Sequence, residues 1–386
     1  MVDIYGVSES VMIRAPKGLE GVIVATTSLT KIDGQAGRLI YRGYDVTQLA
    51  GRVSYESVAH LLWYGHLPNQ KELAALETRF SREHALPSQV IGFLKGESKV
   101  AEPLSALQTS VSILGGLMGR TEPSIIDSSI DLTAQMPTIV AAYHRLRKGQ
   151  QPVAPQLGLG HAANYLYMLN NKPGRPEHVH ALDSYFTLLA DHSLNASTFV
   201  ARIAASTLTD VHSAVVAAIS ALKGPLHGGA PIYVWEMLQS IGTPENAENW
   251  LRDRLQKHDR IMGFGHRVYR TEDPRSRVLK ELARQIVDPS LFKLATTVED
   301  TARRLLREQH PERPIDVNVE FYSSVVLHAV GISPELFTCT FACARTVGWT
   351  AHIVEQLKDN RLFRPDAEYI GPEGLTLEAT TPRTPA

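Results

Sequence analysis

Apolar residues recur along most of this chain at the three-and-four spacing of amphipathic helices. Residues 57–64, Ser-Val-Ala-His-Leu-Leu-Trp-Tyr, close at Gly65 with Pro68 beyond, and residues 73–94 carry spaced apolar positions of the same kind. Residues 183–222 read as two long helical stretches, residues 243–250 as a helix start with proline and acids early, and residues 334–357 as a buried helix. The one convincing strand signal is near the start. There Gly21-Val-Ile-Val-Ala-Thr-Thr27 and Arg38-Leu-Ile-Tyr-Arg42 flank Asp33-Gly34, a pairing of β-favouring runs and turn chemistry that predicts a small hairpin. The expected fold is mainly α, with a small N-terminal β-hairpin. Residues 148–155 read as a loop, and the tail 371–386, rich in Thr and Pro, as poorly packed.

The length of 386 residues favours two or more domains, or one large domain with a second lobe, and permits a real cleft. A formal net charge of -1 gives no electrostatic reason to expect nucleic acid or a membrane as partner, so any ligand must be recognised locally. No apolar run approaches the ~18 residues of a membrane span, and the first twenty residues lack the apolar core of a signal peptide. The two cysteines, Cys339 and Cys343, lie four apart in an apolar run where a helix stacks them as small core fillers. Without a disulfide framework or a CxxC pattern, the expectation is a reducing, cytoplasmic setting.

Several common chemistries lose their signatures, because GxxxxGK[ST], HExxH and GxSxG are all absent. Gly158-Leu-Gly160-His-Ala-Ala163 fits GxGxxA but opens no βαβ unit. His178 and His180, two apart, point to different sides of a helix with no third ligand evident, so they read as surface histidines rather than a metal pair.

Three stretches hold the candidate chemistry: Gly224-Pro-Leu-His227-Gly-Gly-Ala-Pro231, Gly263-Phe-Gly-His266-Arg-Val-Tyr-Arg-Thr-Glu-Asp-Pro-Arg275 and Asn318-Val-Glu320-Phe-Tyr-Ser-Ser324. Two histidines in glycine turns, where backbone and ligand approach closely, and a carboxylate base are the equipment for making and trapping an enolate. His227 faces the N-terminus of a helix expected after Ala230, which disfavours the imidazolium; a neutral ring there donates to a carbonyl oxygen as charge develops. Asp273-Pro274 reads as an N-cap and first helical residue, which sets Arg275 at a helix start as a receptor for a substrate carboxylate. Read alone, Arg275 also fits a surface arginine beside Glu272 and Asp273. Arg345, inside an otherwise apolar helix, requires an anion; a buried ion pair, an exposed helix edge and a substrate carboxylate all satisfy the pattern.

Taken together these residues resemble the citrate synthase family. Gly18-Leu-Glu-Gly-Val22 with Gly37-Arg-Leu-Ile-Tyr-Arg-Gly43, Ala190-Asp-His-Ser-Leu-Asn-Ala-Ser-Thr198, GPLHGGA, GFGHRVY with DPR, NVEFYSS, ARTVGW and Arg364-Pro365 occur in family order over nearly the whole chain. The resemblance implies an almost wholly helical protein of the shorter dimeric form. Its large domain is expected over 1–223 and 332–386, and its small domain, with the acyl-CoA and catalytic segments, over 224–331. The implied reaction is a Claisen condensation of acetyl-CoA with oxaloacetate, followed by hydrolysis to citrate and CoA, with no metal and no tightly bound cofactor. By motif, His192, Arg275 and Arg345 are expected at oxaloacetate, with Arg364 supplied by the neighbouring subunit of a homodimer. His227, His266 and Glu320 are expected to be catalytic, and Ile261, Met262, Gly263, Phe264, Gly265 and Arg270 to contact CoA.

The chain departs from the family at the usual aspartate base, where it has Glu320, and at Pro231, Ser193 and Ser324, where Asn, Glu and Gly are common. Two further readings stay open. A 2-methylcitrate synthase would use propionyl-CoA, and a weakly active paralogue would bind or assemble rather than turn over.

Overall fold

The computed structural model describes residues 16–118, 124–228, 230–266, 268–312 and 315–376. Helices carry most of this chain, and the one sheet among the described residues is a three-stranded antiparallel ribbon of Thr30–Asp33, Arg38–Tyr41 and Tyr44–Asp45. The expected hairpin is present, but its first strand is Thr30–Asp33 rather than the run 21–27. The reason is local: Asp33 Oδ1 accepts from the Ala36 N–H (2.9 Å), so the turn begins at Asp33 and pairs it with Arg38.

Two other boundaries differ from the periodicity. Residues 183–222 form parts of three helices, Pro176–Leu189, Ala196–Ser206 and Val211–Leu222. The breaks fall where Ser193 and Leu208 adopt left-handed backbone and where Asn195 and Asp210 cap the helices that come next. Residues 73–94 split into Gln70–Glu83 and Ser88–Glu97, because Pro87 cannot continue a helix. The terminal tail is exposed over 371–376, and its remainder lies outside the described residues.

At the centre runs the helix Phe337–Lys358, with Cys339, Cys343, Val347, Trp349 and Ile353 all buried. It packs against Tyr55–Tyr64, Ile125–Arg147, Pro176–Leu189, Ala196–Ser206 and Val211–Leu222. Covering so many faces, it needs apolar residues all round rather than a single stripe. Trp349 is fully buried with its indole N–H on Ser197 Oγ (3.0 Å); truncating it to Ala costs about 3–5 kcal/mol on typical core values. A second group, Ala230–Ile241, Ala247–Gln256, Pro274–Ile286, Pro289–Gln309 and Val319–Ala329, packs chiefly on itself. It meets the first group where Pro274–Ile286 and Val319–Ala329 touch Pro176–Leu189 and where Ala230–Ile241 touches the central helix. No described helix is long and apolar enough to cross a membrane.

The central helix and the turn bearing His192 touch through backbone. A Cβ on Gly348 would lie 2.2 Å from the Ala190 carbonyl oxygen and 2.6 Å from Asp191 Oδ1, so only glycine permits the approach. Arg345, one turn earlier, is thereby brought beside the His192 turn.

Candidate active site

The segments at the junction of the two helix groups are held together by short backbone links. Phe264 and Val317 form an isolated antiparallel bridge, the Gly265 N–H donates to Asp316 O (2.8 Å), and the Asn318 N–H donates to Gly263 O (2.9 Å). Asn318 adds a side-chain bond, Nδ2 to Gly265 O (3.0 Å), while its Oδ1 caps the helix Val319–Ala329 by accepting from Glu320 N (3.2 Å). Gly263 and Gly265 have φ of 81° and 80°, the left-handed backbone this ribbon needs. His266 and Glu320, far apart in sequence, are thus carried by one small ribbon.

His266 has a defined tautomer. Its Nδ1 accepts from the backbone N–H groups of Val268 (2.9 Å) and Tyr269 (3.1 Å), so the neutral ring carries its proton on Nε2. Burial, and then the neighbouring Arg275, hold its pKa down at about 4. Its ring lies 5.5 Å from that of His192 and 4.7 Å from that of Tyr269, centroid to centroid. His192 Nε2 lies 3.3 Å from Tyr269 Oη, and burial followed by Arg275 and His266 keeps His192 well below the ordinary histidine range.

His227 lies in the turn that precedes the helix Ala230–Ile241, and its Nε2 lies 2.8 Å from Ser197 Oγ. Its pKa is depressed to about 4, by burial first and Arg345 second. Gly229 and Arg267, in the same two motifs, lie outside the described residues.

The cations behave differently from one another. Arg275 is buried at the start of the helix Pro274–Ile286, as its motif predicts, but its Nε and Nη2 are both committed to Asp273 at 3.0 and 2.7 Å. It is therefore neither a surface arginine nor an unengaged fork. Arg345 is 1% exposed, donates through Nε to Leu189 O (2.7 Å), and lies over the Phe341 ring at 4.6 Å. No carboxylate among the described residues comes within ion-pair distance of it, which removes two of its three sequence readings, the buried pair and the exposed edge. Asp191, the nearest acid electrostatically, is instead paired with His352 at 3.2 Å.

Glu320 is half-buried in the first turn of Val319–Ala329, and its carboxylate has no ion-pair partner among the described residues. Burial raises its pKa above the usual glutamate value, Arg275 opposing. The other departures are accommodated. Pro231 is the second residue of its helix, where a missing N–H is harmless; Ser324 Oγ donates to Phe321 O (2.8 Å), and Ser193 N–H donates to Asp191 Oδ2 (3.1 Å).

A cleft of about 630 Å³ opens from His266 and Asn318. Ile261, Met262, Gly263, Phe264 and Gly265 line it, and His258, Arg260 and His310 add basic groups that the motifs did not single out. Arg270 does not line it; that residue is exposed, and its N–H donates to Gly34 O (2.9 Å). Arg364 is also outside, exposed in the tail beside Asp366, with no hydrogen bond or ion pair among the described residues to the other candidate residues. His178 is engaged by Arg175. Sequence reasoning also missed Ser197 and Tyr269, although both lie within the quoted motifs, and the N-capping pattern Asn-Val-Glu was the available signal for Asn318.

Neutral imidazoles and a carboxylate, with a buried guanidinium that has no carboxylate partner among the described residues at the same junction, suit an enzyme that condenses an acyl thioester through its enolate, and scaffold and site together fit that class. Comparison makes the family specific. Residues 18–366 match the family described as citrate synthase, C-terminal domain. Citrate synthase 2 of Bacillus subtilis is 42% identical over 368 residues, covering 93% of this chain and 96% of that one. A 2-methylcitrate synthase of Mycobacterium tuberculosis is 38% identical, covering 94% and 92%. The Thermoplasma acidophilum citrate synthase, solved as a ternary complex with carboxymethyl coenzyme A and oxaloacetate, superposes with a TM-score of 0.87 at 29% identity, covering 93% and 97%. The chain belongs to the citrate synthase family.

Proposed function

We propose that this chain condenses acetyl-CoA with oxaloacetate and hydrolyses the resulting thioester to citrate and CoA. Glu320 takes a proton from the thioester methyl group, and the electron pair moves onto the carbonyl oxygen, which His227 stabilises by hydrogen bonding. The enolate carbon then attacks the oxaloacetate ketone, whose oxygen accepts a hydrogen bond from His266 Nε2–H as it gains charge and is protonated to the hydroxyl, while Glu320 gives up the proton it took, so that the step neither gains nor loses a proton. Water cleaves the citryl thioester and CoA leaves as the thiol. Arg345, Arg275 and His192 hold the two oxaloacetate carboxylates.

The observation that carries this reading is Arg345. A fully buried guanidinium without a carboxylate partner is costly, and a dianionic substrate relieves it. For His227 to donate through Nδ1, its Nε2 must be bare and accept from Ser197 Oγ. That hydroxyl has a second acceptor in Asn195 Oδ1 at 2.8 Å, while the Trp349 indole donates to it in either state. The cleft 258–266 accepts the CoA chain, with His258, Arg260 and His310 suited to its phosphates.

In this reading residues 1–223 with 332–386 form the large domain and 224–331 the small one, closing over the substrates as an enolate's sensitivity to water requires. A homodimer supplies Arg364 in trans, supported by its exposure and by the exposed Leu362, Tyr369 and Ile370 around it. The protein works in the cytoplasm without a tightly bound cofactor, and no metal takes part in the condensation.

The test is free thiol released from acetyl-CoA, with and without oxaloacetate. Oxaloacetate-dependent release is expected; its absence in folded protein refutes the reading. The similarity to a 2-methylcitrate synthase supports propionyl-CoA as a second substrate. One methylene discriminates only about 10- to 200-fold, so relative kcat/KM for the two thioesters decides between the readings.

A further inference from the structure

The turn between the helices Tyr55–Tyr64 and Gln70–Glu83 gathers His60, His66 and Glu72, so that one ligand atom from each lies within 4.8 Å of the others. This is the only such group of His, Cys, Asp or Glu among the described residues. We propose that it binds one divalent transition-metal ion of the zinc type, with two imidazoles and one carboxylate as protein ligands and solvent completing the shell.

Two of the three side chains, His60 and Glu72, are already oriented for this. His60 Nδ1 lies 3.0 Å from the His66 carbonyl oxygen, which can only accept. The proton therefore sits on Nδ1, and Nε2 keeps the lone pair; a backbone carbonyl on the far nitrogen is the usual device for orienting a metal-bound histidine. Glu72 is fixed in the same manner. Its Oε2 accepts from the Asn69 N–H (2.8 Å) in a capping box, which aims Oε1 at His66 Nε2.

The separation of those two atoms, 3.3 Å, is long for a charge-assisted hydrogen bond. It matches the edge of a tetrahedron whose nitrogen and oxygen ligands lie about 2.0–2.1 Å from zinc, which is about 3.3 Å. The frame is rigid as well. Gly65 caps the first helix with a left-handed φ of 91° and an N–H bond to Leu61 O (2.9 Å), and the rings of His60 and His66 meet edge-on at 4.9 Å. His60 is buried while His66 is exposed, leaving one side for solvent ligands. A cation also suits the carbonyl end of the helix Tyr55–Tyr64.

The test uses full-length protein stripped with a chelator and desalted, then titrated with Co²⁺ and Zn²⁺. One Co²⁺ per chain is expected, with visible absorption of low-symmetry coordination that Zn²⁺ abolishes, and a rise in melting temperature with Zn²⁺. His66→Ala and Glu72→Gln are each expected to weaken binding by at least about tenfold and to remove the thermal shift. Glu72→Gln retains an oxygen for the Asn69 N–H, so the helix start survives and a loss of binding is not a loss of fold. Absence of Co²⁺ absorption at millimolar metal overturns the proposal. So does undiminished binding in both variants, which would put the ion on other histidines.

Discussion

Shortening Glu320 to Asp restores the family's usual residue, yet the structure argues that it will slow the enzyme. The substitution withdraws the carboxylate by about one C–C bond, ~1.5 Å. Backbone movement cannot recover that distance, because the Glu320 N–H is held by Asn318 Oδ1, Asn318 is tied to Gly263 and Gly265, and the flanking Val319 and Phe321 are buried. A displacement of an ångström at a reacting centre costs about a hundredfold in rate, which is ~2.7 kcal/mol of barrier. Oxaloacetate contacts lie on other residues, so its KM should stay within about threefold while kcat falls. The assay is the initial rate of thiol release at saturating oxaloacetate, with a thermal melt to confirm folding. A rise in kcat would refute the reasoning, since it would show a site spaced for the shorter acid and a native base held too close.

Other expectations rest on the same geometry. A Cβ on Gly34 would lie 2.3 Å from Val268 O, so Gly34→Ala should push the loop that sets the His266 tautomer and lower kcat by about tenfold, with the helical circular dichroism unchanged. Ser197→Ala removes the hydroxyl partner of His227 Nε2 and should lower kcat by about tenfold or more, leaving oxaloacetate binding by calorimetry intact. Arg345→Met replaces an unpaired buried cation and should raise the melting temperature of the substrate-free protein, by about 1–4 kcal/mol of stability, while abolishing measurable oxaloacetate binding. Since Glu320 acts deprotonated and burial raises its pKa, kcat/KM should fall on the acid side with an apparent pKa above 4.5, before His227 and His266 protonate near 4. For stability, His84, His227 and His266 have folded pKa values of about 4 against 6.5 unfolded. The unfolded chain binds more protons in that window, so urea midpoints should fall as pH drops from 6.5 toward 4, with Asp183, raised by burial to about 7, opposing in part.

The helical character of the chain was legible because its periodicity and capping residues agree, as at Gly65 and Asp273. Boundaries were less so. The strand Thr30–Asp33 carries weaker β-favouring residues than the run before it and is chosen by the Asp33 turn, a choice that residue preference does not reveal. Around the site, motif order pointed to His192, His227, His266 and Arg345, but the environment of each is tertiary. That Arg275 would give two nitrogens to Asp273 while Arg345 would have no acid depends on which side chains fold beside them. Ser197 and Tyr269 were hidden for the same reason, since a hydroxyl acquires its role only from the ring packed against it.

The lone guanidinium of Arg345 also bears on how long a molecule of this protein survives. A ligand that binds only the native state adds about 2.7 kcal/mol when present at a hundred times its Kd, lowering the unfolded population about a hundredfold. Proteolysis that tracks that population would slow in proportion. The carboxylate that answers Arg345 would then act as a supply signal, and cells short of it would clear the protein faster without any dedicated sensor.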